Sequence, residues 1–249
     1  MISDLLSIAV KPLKKDHFFN KIFLVLSLLI LIPAVWLFSN IPETQVSHEA
    51  GFLVEKNFWF FLRDNVPPWL GTLLSFLYDL GDKEISGPVV GISLGLFIWK
   101  KQWKSVLLMI LGSGGALLLV DKVFKPIIGR PRPPYFMGEY GSVPDIAGAS
   151  FPSGHATGNL VLYLILALLV TQNISRLRWL VFGAVVLFLS GIGLGSLYLG
   201  VHWPSDILGG YMLGFIWLTF CLFFVDLLAI FLNIDRNIDR SSPLNRSRK

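Results

Sequence analysis

The sequence predicts an all-α, polytopic membrane protein with six transmembrane helices and short interfacial helices in the first outer loop. Three observations carry this reading. Of 249 residues, 54% are hydrophobic and only 15% charged, with a mean hydropathy of +0.66; a soluble domain carries about 25% charge. The apolar residues are gathered in long runs rather than alternating. The basic residues, which leave a net charge of +5, fall in short groups between those runs. That is how membrane topology is written, so the bilayer and not nucleic acid is the expected partner of the positive charge.

Residues 1–21 hold Lys11, Lys14, Lys15 and Lys21 and read as a short amphipathic or loose cytoplasmic segment. The first span is expected over 22–39. It starts late for a signal peptide and has no small-x-small cleavage site before Asn40, so it is read as retained. Between 40 and 83, the runs 52–62 and 69–80 are too short and interrupted to cross. Phe58, Trp59, Phe60, Phe61, Trp69 and Tyr78 crowd there beside charges. This suits helices lying at the membrane–water boundary or a packed extramembrane loop.

The second span, 85–99, carries Gly87, Gly91 and Gly95 at four-residue spacing, a face that permits close helix contact. The third, 105–120 or slightly beyond, has Gly112, Gly114 and Gly115 for tight packing. The fourth, fifth and sixth are expected over 153–171, 179–199 and 204–231. Each is near the roughly 20 residues that the hydrocarbon core requires, allowing for tilt. Lys100, Lys101 and Lys104 follow span two, and Arg176 and Arg178 follow span four. A polar tail over 236–249 holds Arg236, Arg240, Arg246, Arg248 and Lys249, beyond a single membrane domain over 1–235. With six spans these groups share one side, so both termini are expected in the cytoplasm and the protein in the plasma membrane. Cys221 lies in an apolar run and cannot found a disulfide framework. His17 and His48 read as solvated.

One outward loop breaks the charge rule. Lys122, Lys125, Arg130 and Arg132 follow span three, and binding an anion gives such a cluster a reason to exist. Prolines at 126, 131, 133 and 134 stiffen it, and an arginine fork beside a lysine point charge suits phosphate. A second outward group, Ser153-Gly154-His155, opens span four. Ser153 is a candidate N-cap, and the free amides of Gly154 and His155 would form an anion cradle. A third lies before span six. Pro204 can start a helix, which puts Asp206 in the first turn and His202 just ahead of it. The carboxylate can then hold one ring nitrogen and leave the other free as nucleophile or base. Asp79, Asp82 and Glu84 form an acidic group near the outer boundary, suited to helix capping or to contact with the basic loop. Two histidines, several cations and helix-start amides facing one outer pocket describe a phosphoryl-transfer site.

The ordered set Lys125-x6-Arg132-Pro133, Pro152-Ser-Gly-His155 and His202-xxx-Asp206 resembles the three-part signature of the type-2 phosphatidic acid phosphatase superfamily, over about 122–210. The six-span layout resembles its bacterial lipid-phosphatase branch. The resemblance implies that His202 attacks phosphorus, Asp206 orients it, and His155 protonates the leaving oxygen and then activates water. It implies that Lys125, Arg132, Ser153 and the Gly154 amide hold the phosphate oxygens, with no metal or other cofactor. The expected substrate is a lipid phosphate or pyrophosphate at the outer face: phosphatidic acid, phosphatidylglycerophosphate or polyprenyl pyrophosphate. Transfer to a second lipid, or binding without turnover, are the alternatives.

The sequence departs from the signature at one place. The third motif's Ser-Arg is here Gly195-Ser196, so Ser196 stands at a phosphate-binding position as a hydroxyl without charge. Losing a transition-state donor costs about 10²–10³ in rate. Either Arg130 or Lys122 substitutes, or the chain is a weaker or altered enzyme, or the position was changed to hold substrate.

Overall fold

A computed structural model describes residues 17–46, 50–133, 148–171 and 175–231; the expected segment 1–16, His48, Pro134 and the tail 236–249 lie outside them. The described residues form helices and no strands. In chain order these are α1 (His17–Val46), α2 (Ala50–Asn65), α3 (Pro68–Leu80), α4 (Lys83–Trp99), α5 (Trp103–Ile128), α6 (Gly154–Thr171), α7 (Arg178–Tyr198) and α8 (Pro204–Phe231). Five of them, α1, α5, α6, α7 and α8, are long and apolar enough to cross a bilayer. Five such helices make the chain an integral membrane protein. The expected second span, α4, has 17 residues. That is the lower end of the roughly 17–25 residues that cross a bilayer, one residue short of the shortest of the five, α6.

The core forms around α6. Of its apolar stretch 67% is buried, against 39% for α5, α7 and α8 and 17% for α1. Val161 and Ile165 of α6 belong to one buried cluster with Leu108 and Met109 of α5, Ile192 of α7 and Leu218 of α8. Helix α1 packs at the edge on α8, where Phe23 stacks on Phe215 at 5.0 Å and Ser27 Oγ donates to Thr219 Oγ1 at 2.7 Å. Leu29, Ile32 and Trp36 on its other face are exposed, an apolar surface that lipid solvates.

The stretch between spans one and two is helical, as α2 and α3. Pro68 opens α3, where its missing N–H costs nothing, and α3 lies along α7 at backbone contact: a Cβ on Gly195 would sit 2.3 Å from the carbonyl oxygen of Leu74. Only glycine fits there. The stripe Gly87, Gly91, Gly95 behaves otherwise than expected. A Cβ at any of the three would meet nothing within 4 Å, so the stripe makes no close helix contact among the described residues. Gly112 and Gly115 are the tightly packed ones, against Ile165 and Trp217.

Helix α5 also runs further than expected, to Ile128, so Lys122 and Lys125 sit on helix rather than in a loop. It contains two π-helical turns, Ile110–Gly114 and Leu119–Phe124. In a pure α-helix, steps of four drift by ~40° each, which would carry Lys125 about 120° away from Ser113. The wider π turns take up that drift. Ser113, Leu117, Asp121 and Lys125 consequently line one cleft.

Candidate active site

The three polar clusters meet at one end of the helices, held by backbone hydrogen bonds. Ser153 N–H donates to Asp206 O at 3.0 Å and Ser150 N–H to Arg130 O at 2.7 Å. Trp203 Nε1–H donates to Pro131 O at 3.0 Å. The N-terminal turns of α6 and α8 touch at Gly210, where a Cβ would fall 2.7 Å from Ser153 O; Thr157 Oγ1 bridges the two helices to Ser153 O and Gly210 O.

Pro204 opens α8 and Asp206 lies in its first turn. Both oxygens of this fully buried carboxylate are engaged. Oδ1 accepts from Arg130 Nη1 at 2.6 Å; Oδ2 accepts from Trp203 N–H at 2.8 Å and faces His202 Nδ1 at 3.4 Å. A carboxylate opposite Nδ1 puts the ring proton there and leaves the Nε2 lone pair free. His202 is 3% exposed. Burial pushes its proton affinity below the ordinary imidazole value, Asp206 opposes this, and Arg132 and Lys125 add to it. A neutral, oriented imidazole at a cleft wall is the form a nucleophile needs.

His155 begins α6, one residue after Gly154. Its ring stacks on Tyr78 at 4.7 Å, and its Nε2 lies 3.7 Å from Asp82 Oδ1. Asn159 Nδ2 donates to both His155 O and Gly81 O, fixing the α3–α4 turn that carries Asp82. Burial, then Asp82, raise the Tyr78 phenol to about 12, so its O–H stays intact as a donor.

His155 and His202 line a single cleft of ≈ 740 Å³, together with Lys125, Arg132, Gly154, Tyr78 and Asp82. Arg132 Nη1 donates to Val201 O at 3.0 Å, and its buried Nε–H has no acceptor among the described residues. A buried, unsatisfied guanidinium N–H calls for an anion. Burial lowers the Arg132 proton affinity and Asp206 opposes it. Lys125 is shared: its Nζ bonds Asp121 Oδ1 at 2.7 Å and lies 3.8 Å from where a Cβ on Gly154 would be.

A sequence model of the PAP2 superfamily matches residues 102–228, which contain all three clusters. The chain belongs to the PAP2 superfamily. Phosphatidylglycerophosphatase B of Bacillus subtilis (strain 168) is 28% identical over 154 residues, 59% of this chain and 71% of that protein. Undecaprenyl-diphosphatase of Sulfolobus acidocaldarius is 28% identical over 153 residues, 61% of this chain and 68% of that protein. In three dimensions the chain is similar to the crystal structure of a transmembrane PAP2-type phosphatidylglycerolphosphate phosphatase from Bacillus subtilis. That match has a TM-score of 0.62 and 26% identity, covering 78% of this chain and 96% of the other.

Against this PAP2 geometry, three expectations need adjusting. Ser153 is fully buried and caps α6, its Oγ accepting from Ala156 N–H at 3.3 Å; it does not line the cleft. Ser196 is also fully buried, its Oγ has no hydrogen-bond partner among the described residues, and it too is absent from the cleft wall. Arg130, one expected substitute for the motif's arginine, has its guanidinium on Asp206, Ser205 and Glu55 and is absent from the cleft wall. Lys122 is likewise absent from the cleft wall. Sequence reasoning missed Glu55 and Tyr78. Both lie in the aromatic stretch before span two, and their only signal was an acid and a phenol among apolar residues. Asp82, placed there only within an acidic group, both caps α4 through Lys83 N–H and faces His155.

Proposed function

We propose that this chain is a membrane lipid phosphatase hydrolysing a lipid phosphate or pyrophosphate through a phosphohistidine. The observation that carries the reading is the sharing of one cleft by His155, His202, Lys125 and Arg132. The His202 Nε2 lone pair attacks phosphorus as the bond to the lipid oxygen breaks. The electron pair leaves with that oxygen, which takes a proton from His155. Neutral His155 then removes a proton from water, the resulting hydroxide attacks phosphorus, and the N–P bond breaks to restore His202. Lys125, Arg132 and the Gly154 amide hold the equatorial oxygens, where charge spreads in the transition state. The Tyr78 O–H adds a neutral donor where the family motif carries an arginine that this chain lacks.

Away from the imidazoles the same cleft runs between α4, α5 and α6, lined by Gly87, Val90, Gly114, Leu117 and Leu162. An apolar continuation of this kind suits a lipid tail better than a soluble ester. The names of the relatives support phosphatidylglycerophosphate and polyprenyl pyrophosphate, beside phosphatidic acid, as substrates. The basic groups between helices favour both termini in the cytoplasm and a cleft that opens outward. The test is phosphate release from a panel of these lipids by the purified chain and by His202→Ala. Release by the chain that vanishes in the variant supports the reading, and equal release by both overturns it.

A further inference from the structure

We propose that Arg130, gripped by Glu55 of α2, is a positioning residue: it holds the Asp206 carboxylate that orients His202, without touching substrate. The inference rests on the reading of His202 as nucleophile given above.

The geometry is a closed network. Arg130 is 1% exposed. Its Nη1 donates to Asp206 Oδ1 and to Ser205 Oγ, each at 2.6 Å, and its Nη2 to Glu55 Oε2 at 2.5 Å. The other Glu55 oxygen accepts from Ser205 N–H at 3.1 Å and from Ser205 Oγ–H. The planar guanidinium reaches Asp206 and Ser205 from one nitrogen and Glu55 from another, a spread that the single nitrogen of a lysine does not reproduce. Arg132, two residues on, lines the cleft while Arg130 does not, so the proline-stiffened segment divides its two cations between substrate and scaffold.

The charge count supports a role in the reaction. Asp206, fully buried, and Glu55, partly buried, around one guanidinium carry a net charge of −1 on the Nδ1 side of the His202 ring, with the cations Arg132 and Lys125 on its cleft side. Burying such an excess is costly, and it is relieved when the ring becomes cationic on forming the N–P bond. Glu55 thereby ties α2, far away in sequence, to the nucleophile.

The roles of glue and of positioning are separable by their effect on pH dependence. The charged groups facing His202 are Asp206 of α8, Arg132 of the proline-rich segment, Lys125 of α5 and His155 of α6. None is altered by substitutions at 130 or 55. Removing the Arg130 charge leaves Asp206 unneutralised, so His202 holds its proton to higher pH. Removing the Glu55 charge does the opposite. The experiment measures kcat, KM and the acid limb of kcat against pH, on a phosphatidic acid in detergent micelles. The proteins are the full chain, Arg130→Gln, Arg130→Lys and Glu55→Gln. The expected result for Arg130→Gln is a kcat lower by about 10²-fold, the cost of a misplaced reacting group, with KM little changed. Its acid limb moves to higher pH, Arg130→Lys recovers part of both effects, and Glu55→Gln moves the limb to lower pH. If Arg130→Gln does not fold, the near-isosteric Glu55→Gln decides by the direction of its limb. An unmoved limb in an active chain overturns the positioning role alone. A full chain that releases no phosphate from any lipid of the panel overturns the phosphatase reading and this proposal with it.

Discussion

Nη1 of Arg132 stands 3.5 Å from Nε2 of His202. The ring nitrogen that Asp206 leaves free therefore has a cation at its side, and a phosphoryl group brought to that nitrogen would meet nucleophile and counter-charge together. Arg132→Gln is expected to lower kcat/KM by about 10²–10³, the usual loss for one transition-state donor. Arg132→Lys restores charge but not the fork and recovers only part. Steady-state phosphate release checks both, and a loss under tenfold in Arg132→Gln would remove this residue from the site.

The pH dependence follows from the direction of the His202 shift. Burial, and then Arg132 and Lys125, hold its proton affinity below the usual imidazole value of about 6.5. As pH falls, the lone pair survives until the lowered value is reached, so the acid limb of phosphohistidine formation lies below about pH 6.5. The stability contribution has the same sign: it is present above the unfolded value and is lost as pH falls through the folded one. Single-turnover trapping of the phosphoenzyme across pH measures the limb directly, and a midpoint above 6.5 contradicts the assignment.

Tyr78 tests the neutral donor. Its phenol keeps its proton to about pH 12, and its ring stacks on His155. Tyr78→Phe keeps the stack and removes only the O–H. A hydrogen bond to a charged group is worth about 1.5–3 kcal/mol, so kcat is expected to fall roughly 10–100-fold with an unchanged melting temperature. An unchanged kcat removes Tyr78 from the phosphate contacts.

What sequence could and could not show has a physical basis. His202 and Asp206 were legible because four residues and a helix-starting proline fix their mutual geometry locally. Five of the six expected spans correspond to long apolar helices because hydrocarbon tolerates little else. Glu55 and Tyr78 were not legible: they reach the site from α2 and α3 across 150 and 77 positions from Ser205 and His155, and no local pattern encodes such a pairing. The glycine stripe of α4 misled because small residues permit a close contact without requiring one. The Lys125 loop misled because π turns let a helix carry past a run of charges.

Asp121 holds Lys125, the cation that the proposed function gives to phosphate. The pair is an i, i+4 contact at 2.7 Å on the cleft wall, with Asp121 about half exposed. Asp121→Asn releases the ammonium for phosphate and removes a negative charge facing an anionic ligand. The expected outcome is a KM lower by a few-fold at low ionic strength, with the difference shrinking as salt screens the site. Titration of KM against salt in both proteins checks it, and a higher KM in the variant would show that Asp121 positions Lys125 instead.

Ser196 separates two accounts of the motif's missing arginine. If its hydroxyl served phosphate it would face the cleft, and Ser196→Ala would slow the enzyme. In the structure it is fully buried, without a hydrogen-bond partner among the described residues. Leaving a buried hydroxyl unsatisfied costs about 1–3 kcal/mol, so removing it stabilises the fold. Ser196→Ala is therefore expected to raise the melting temperature and leave kcat within about twofold, since it removes a hydroxyl that bonds nothing among the described residues. Ser196→Arg must push a long cation into a packed α7 wall, and overpacking costs about 1–3 kcal/mol. It is expected to lower thermal stability without raising turnover. Scanning calorimetry and phosphate release on the two variants decide: a slower Ser196→Ala, or a faster Ser196→Arg, returns this residue to the phosphate site.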